Sequence, residues 1–139
     1  MRKACLLVVL LLLSGCVTFG QLERGLDYMM GESDSVAFNV LGYPSGKQEF
    51  GSDTVYYWFI NNSGVVFVPQ TSTTYGSVGT TSFYGTTSYS QAVPVNYSCQ
   101  IKLIADSYGV LTRWEYNGNI GGCKSYIKRV NNYYKENNL

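Results

Sequence analysis

The sequence contains no histidine and few charged residues, and these absences exclude several classes of function. Without histidine, neither a Ser-His-Asp triad nor a Cys-His pair can form, and most zinc sites lose a principal ligand. Charged residues make up 14% of the chain, and the carboxylates show no paired pattern, although two could still meet in space as in a glycosidase. No glycine-rich phosphate loop joins a strand to a helix. We therefore predict no enzymatic activity, no catalytic residue, no cofactor and no metal site.

Long apolar runs are also scarce, and the one present lies at the N-terminus. Arg2 and Lys3 precede an apolar run that is too short to span a bilayer stably. The basic start, the short apolar run and the small residues after it are typical of a secretory signal. Two alternatives to a lipoprotein signal stay open: an ordinary secretory signal in which the cysteine falls by chance, and an apolar helix that stays with the domain.

The run ends in the sequence LSGC, which resembles a bacterial lipobox. That resemblance implies cleavage before Cys16 and acylation of its sulfur and of its new amine. We predict that residues 1–15 form a lipoprotein signal peptide and that residues 16–20 form a lipidated anchor with a short tether. Several acyl chains, at about 0.8 kcal/mol per buried methylene, make an effectively permanent membrane tether.

The expected location is the bacterial outer membrane, with the domain on its periplasmic face. Val17 follows the cysteine, whereas an Asp at that position is the usual inner-membrane retention signal in enteric-type bacteria. The chain after residue 15 has eight basic and nine acidic residues, a formal net charge of −1. A nucleic-acid binder would have a basic excess, so we predict no nucleic-acid partner. The predicted lipid anchor makes the membrane one partner, and we expect an envelope protein as the other.

Two short helices are predicted before any strand. From near Gln21 apolar residues recur at helical spacing, and Gly31 ends the pattern. Ser33 can cap a second helix, which Gly42 ends. Both helices are marginal in isolation and need an apolar surface to lie on. Their apolar stripes are Leu22, Leu26, Met29 and Met30 in the first helix, and Val36, Ala37, Val40 and Leu41 in the second.

Two β-hairpins are predicted after the helices. Residues 54–60 are β-branched and aromatic, residues 61–64 (NNSG) have turn composition, and VVFV follows. Residues 100–117 alternate apolar and polar residues around a turn at 106–109. This alternation places Leu111 on the opposite face from Trp114. The order of elements predicts an α+β fold in which two N-terminal helices pack on a small antiparallel sheet.

The C-terminal segment predicts a short helix followed by a flexible end at 136–139. Residues 126, 130, 133 and 134 are apolar at helical spacing. Four basic residues and one acidic residue lie among them, and they form either a solvated face or a contact for anionic lipid headgroups or glycan phosphates.

A disulfide is predicted between Cys99 and Cys123. Cys5 leaves with the signal and Cys16 is acylated, so these two cysteines remain as a pair in an oxidising compartment. The absence of a CxxC spacing disfavours a redox or metal role. The closed loop of about 25 residues predicts roughly 3 to 4 kcal/mol of stabilisation.

Residues 70–92 contain no charge and repeat Thr or Ser, Tyr and Gly. Such a segment cannot form its own core, which favours a flexible loop between the hairpins. Tyrosine with serine and glycine also suits a contact surface, and threonine and tyrosine tolerate β geometry, so a strand extension stays open. The candidate partner contacts are Tyr75, Phe83, Tyr84 and Tyr89.

The segments GESDSVAFNVLGYP, FGSDTVYYWF and CQIKLIADSYGVLTRWEYNGN together resemble the SmpA/OmlA (BamE-like) family of small outer-membrane lipoproteins. The resemblance covers roughly residues 20–123 and implies a three-stranded sheet behind two helices. It implies a domain at 21–135, here with a Tyr/Ser/Thr/Gly-rich insertion at 70–96. The implied function is a scaffold or assembly module. The small α+β fold also resembles the repeat of β-lactamase inhibitor proteins, so an inhibitor or ligand-binding lipoprotein is the alternative.

Overall fold

The computed structural model describes residues 15–138, so most of the predicted signal peptide lies outside the described residues. Within these residues, three helices and four strands form an α+β fold, as predicted. The sheet is antiparallel in the order β1-β2-β3-β4, one strand more than the family resemblance implies. The elements in chain order are α1 Phe19–Met29, α2 Asp34–Leu41, β1 Gly46–Phe50, β2 Asp53–Val78, β3 Thr81–Ala105, β4 Leu111–Gly118 and α3 Ile120–Asn137.

Helices α1 and α2 confirm the predicted pair. Helix α1 begins at Phe19, so the predicted tether at 16–20 loses its last two residues to the helix. Its stripe of Leu22, Leu26 and Met29 is fully buried. The Ser33 side chain caps α2, and Gly42 ends the helix at a φ of 87°, a value that favours glycine.

The prediction of a turn at residues 61–64 is wrong, because β2 continues through them. Asn61 pairs with Ser98 and Gly64 pairs with Val95, so β2 and β3 form one long hairpin. The chain reverses at Gly79, whose φ of 62° suits the first central position of a two-residue type II′ turn. The turn composition of the NNSG segment is overridden by cross-strand pairing, which determines strand formation more strongly than local propensity.

The flexible-loop interpretation of residues 70–92 is also wrong. Every residue from Gln70 to Val78 has a β3 partner, and the strand-extension interpretation is the one confirmed. Val65 to Val68, predicted as the return strand of a first hairpin, instead belong to the outgoing strand β2.

The hairpin at 100–117 is confirmed, with one correction in its second strand. Asp106 accepts hydrogen bonds at one carboxylate oxygen from the backbone of Tyr108 and Val110, which fixes the turn. A bulge between Ile104 and Ala105 shifts the register, so Ala105 pairs with Leu111. Leu111 is therefore buried in the core on the same face as Trp114, whereas the simple alternation placed it on the opposite face.

The buried core cluster contains residues from all three helices and from strands β2, β3 and β4. Trp58, Ile101 and Leu103 contribute from the sheet and are at most 1% exposed.

Helix α3 has 18 residues and ends at Asn137, so it is longer than the predicted short helix. Residues 136 and 137 are helical, and the prediction of a flexible end at 136–139 is wrong for these two residues. Helices α1 and α3 approach so closely that a Cβ at Gly25 would collide with Val130.

Four side-chain hydrogen bonds tie α1 and α2 to the sheet. The Trp114 indole donates to Asp27 at 2.8 Å, and the Tyr116 hydroxyl donates to Glu23 at 2.7 Å. The Trp58 indole donates to the Gly42 carbonyl, and the Tyr56 hydroxyl donates to Asp34.

Both of these tyrosines have raised pKa values. Burial, with the Asp34 hydrogen bond, raises the pKa of Tyr56 to about 12. The hydrogen bond to Glu23, with burial, raises the pKa of Tyr116. Both hydroxyls are therefore protonated donors at neutral pH.

Candidate interaction surface

The distal part of the β2–β3 hairpin, residues 61–78 and 81–98, extends beyond the other two strands, and we call it the arm. Strand β1 pairs with β2 only as far as Tyr57, and β4 pairs with β3 only from Cys99 onward. Eighteen successive pairs at about 3.3 Å per residue make the arm roughly 60 Å long. None of its residues belongs to the buried core cluster, and none is charged. The arm is therefore a surface without a role in the core.

The disulfide lies at the base of the arm. The Cys99 and Cys123 sulfur atoms are 2.07 Å apart, which confirms the predicted pair. The bond joins β3 to the first turn of α3, where Gly122 lies directly on the Ser98 backbone and leaves no space for a Cβ. Gly122 is thus required by the close approach of the two backbones, and this glycine next to Cys123 is a sequence signal for the junction.

Cys16 is exposed, and it lies at the same end of the domain as the arm. The Phe19 ring stacks on Tyr116 with 5.1 Å between ring centroids, whereas the C-terminal end of α1 is held by the Gly31 N–H donating to the Leu111 carbonyl. On β4, Tyr116 is near the arm and Leu111 is at the opposite end of the strand. Helix α1 therefore starts at the arm end. Three residues span at most about 11 Å, so Cys16 lies close to this end.

The four predicted contact residues are all more than half exposed on the arm, but they do not form one patch. Tyr75 and Tyr84 are cross-strand partners, with ring centroids 6.3 Å apart. Phe83 is the neighbour of Tyr84 in the strand, so it lies on the other face, against Gly76. Tyr89 shares that second face but pairs with Gln70, about 20 Å from Phe83. The structure thus brings three of the four residues to the arm tip.

A second apolar region on the arm was not predicted as a contact site. Val65, Val66, Phe67 and Val68 are 57%, 39%, 71% and 37% exposed. Successive residues of a strand alternate between faces, so this band exposes apolar side chains on both sides of the arm. The run VVFV is visible in the sequence, but its assignment to the return strand of a short hairpin did not predict that it would be exposed on both faces.

The other surfaces of the described residues offer little chemistry. Residues 15–138 contain no group of three or more potential metal-ligating carboxylates and thiols. The sheet face away from the helices has a shallow depression lined by both charges, with Lys102 and Arg113 beside Glu115. Within the part of the chain that the structure covers, no helix is both long enough and apolar enough to cross a membrane.

Comparison with known proteins adds no identity to this geometry. No family model matches the chain, and no curated protein and no solved structure matches it either.

Proposed function

We propose that this chain is a lipid-anchored envelope lipoprotein that acts as a non-enzymatic interaction module, and that the arm is its contact surface. The observation that carries the proposal is the arm itself, since about 60 Å of uncharged ribbon contributes nothing to the core. Exposed apolar and aromatic side chains in such numbers mark interaction sites in soluble domains. Aromatic side chains supply large contact areas and are enriched at binding hot spots.

The anchor and the resemblance to SmpA/OmlA lipoproteins support an outer-membrane location and a scaffold or assembly role. Cys16 is exposed and separated from α1 by only two residues, so an acyl group on its sulfur would meet no buried surface of the domain. A tether this short would hold the arm end of the domain at the membrane. The arm would then meet partners at or near the bilayer surface.

Cys16→Ser is expected to abolish lipid labelling of the chain, because no other residue offers a thiol at the lipobox. Metabolic incorporation of labelled palmitate measures this directly, and fractionation of the envelope should show loss of membrane association. Cys5→Ser is the matched control, since it changes a cysteine in the signal and should leave labelling unchanged. Labelling that persists in Cys16→Ser would contradict the anchor.

Replacing residues 65–94 by Asn-Gly is expected to preserve the fold and remove partner binding. Gly64 and Val95 are an existing pair that a two-residue turn can close. No core residue is deleted, so the thermal midpoint should change by only a few degrees. Recovery of crosslinked envelope partners by the tagged protein should fall about ten-fold or more.

Tyr43→Ser is the control for the shortened arm, because Tyr43 is 91% exposed but lies outside the arm. It should retain both folding and partner recovery. Undiminished recovery by the shortened protein would show that the contact surface lies elsewhere.

A further inference from the structure

The arm has two backbone edges that no strand of the described chain covers. In an antiparallel ladder, alternate residues direct their N–H and C=O groups toward the partner strand or away from it. The Tyr57 carbonyl accepts from Ser45 outside the β2–β3 pair, and the Ser98 carbonyl accepts from Asn119. Odd-numbered residues of β2 and even-numbered residues of β3 therefore direct their backbone groups outward. Along most of the arm these groups face no other strand.

The edges lack most of the devices that prevent edge-to-edge pairing. Exposed edge strands are usually protected by charged side chains, by proline or by a covering segment. The arm has no charge, and its only prolines are Pro69 and Pro94. Both occupy outward-facing positions, so each removes one donor and leaves the ladder within the arm intact. A two-stranded ribbon is marginal in water without a further strand or a packed face. The arm is therefore suited to strand addition.

We propose that the arms of neighbouring copies of this chain pair edge to edge, β2 of one copy with β3 of the next. The inference rests on the proposed function, because a lipid on Cys16 would hold the arm ends of all copies at one membrane. Arms that lie side by side in one direction bring β2 next to a neighbour's β3, and those two strands run antiparallel. The β2 and β3 segments of the arm are both uncharged, so the strands of two copies meet without like-charge repulsion, which favours a second copy over a partner chosen by charge.

The size of the contact fits a stable association. An edge about 60 Å long and about 10 Å thick buries roughly 600 Å² on each copy, or about 1,200 Å² in total, the lower end of the range for specific interfaces. Each contact uses one β2 edge and one β3 edge. Such a head-to-tail interface leaves an edge open at each end, so assembly continues beyond a dimer to a ring or an open strip.

Proline substitutions can block one edge at a time. Thr73→Pro with Ser77→Pro removes outward donors from β2, and Thr86→Pro with Ser90→Pro removes them from β3. All four positions have the same outward orientation as the native prolines, so the ladder within the arm keeps its hydrogen bonds. The same pairs of substitutions to alanine are the matched controls.

The test measures the mass of the lipidated full-length protein in detergent by light scattering across a concentration series. Wild type and both alanine controls should form species larger than a dimer. Each proline variant alone should be monomeric at concentrations at which the wild type assembles. The concentration needed for its assembly should rise at least roughly ten-fold. An equimolar mixture of the two proline variants should give dimers and nothing larger, since one variant retains its β3 edge and the other its β2 edge.

That dimer also shows that both variant arms are folded. A proline variant that dimerises with itself would overturn the proposal in favour of pairing between like edges. A wild-type protein that carries the lipid label but is monomeric would overturn the pairing between copies. It would not contradict the proposal of a lipid-anchored interaction module. Monomers whose binding to lipid vesicles depends on the arm would instead assign the arm to the bilayer. Loss of lipid labelling from wild type would contradict the proposed function itself.

Discussion

Replacing both Cys99 and Cys123 by alanine is expected to lower the free energy of unfolding by about 3 to 4 kcal/mol. The bond joins residues 24 apart in sequence, and the chain-entropy model gives this value for a closed loop of that length. Domains of this size are stable by roughly 5 to 15 kcal/mol, so the loss is a large fraction of the total. Alanine is preferred to serine because both positions are fully buried, where a hydroxyl without a partner adds its own cost.

Urea unfolding followed by tryptophan fluorescence measures the change. Reduction of the wild-type protein should lower its midpoint by a similar amount, whereas reductant should leave the alanine variant unchanged. The loosened region should be the start of α3, which the bond holds against β3. Equal midpoints for oxidised and reduced wild type would contradict a stabilising role for the bond.

Trp58→Ala is expected to destabilise the domain by about 3 to 5 kcal/mol. The side chain is 1% exposed and is the largest of the fully buried side chains, so its removal leaves a cavity that the core cannot close. The same substitution removes the indole hydrogen bond to the Gly42 carbonyl at the end of α2. The expected result is a lower urea midpoint with little change in the slope of the transition.

Two further variants separate the parts of this effect. Trp58→Phe keeps most of the apolar volume but loses the donor, so it should cost less than alanine, about 1 to 3 kcal/mol. Phe59→Ala is the control, because the neighbouring Phe59 is 51% exposed and lies on the other face of the sheet. Its effect should stay within about 1 kcal/mol. A Trp58→Ala protein as stable as this control would contradict the placement of the indole in the core.

The sequence predicted the elements whose signals are local. Helix α2 is an example, because Ser33 and Gly42 are a cap and a stop that act within one turn of the chain. The turn at 106–109 is similar, since Asp106 bonds the backbone of the residues that follow it. The cysteine pair could be predicted because two of the four cysteines were assigned elsewhere.

The elements that the sequence predicted poorly depend on pairing between distant residues. The stretch at 61–64 has turn composition, yet its partners near Val95 keep it extended. Strand β1 was not predicted because its composition, GKQEF, is polar and four of its five residues are exposed. The face of Leu111 depends on a bulge that period-two alternation does not contain. The exposure of the arm was not predicted for the same reason, because a short hairpin turning at residues 61–64 was expected in its place.

The separation of the arm from the core has an evolutionary consequence. Substitutions in the arm are released from the selection that folding imposes on Trp58 or Ile101, so recognition can diverge while the domain stays constant. Changes in arm length are more restricted, because a single inserted residue reverses the faces of every side chain beyond it. Insertions matched on β2 and β3, around the turn at Gly79, preserve both faces. Related chains should therefore differ in arm length by balanced steps.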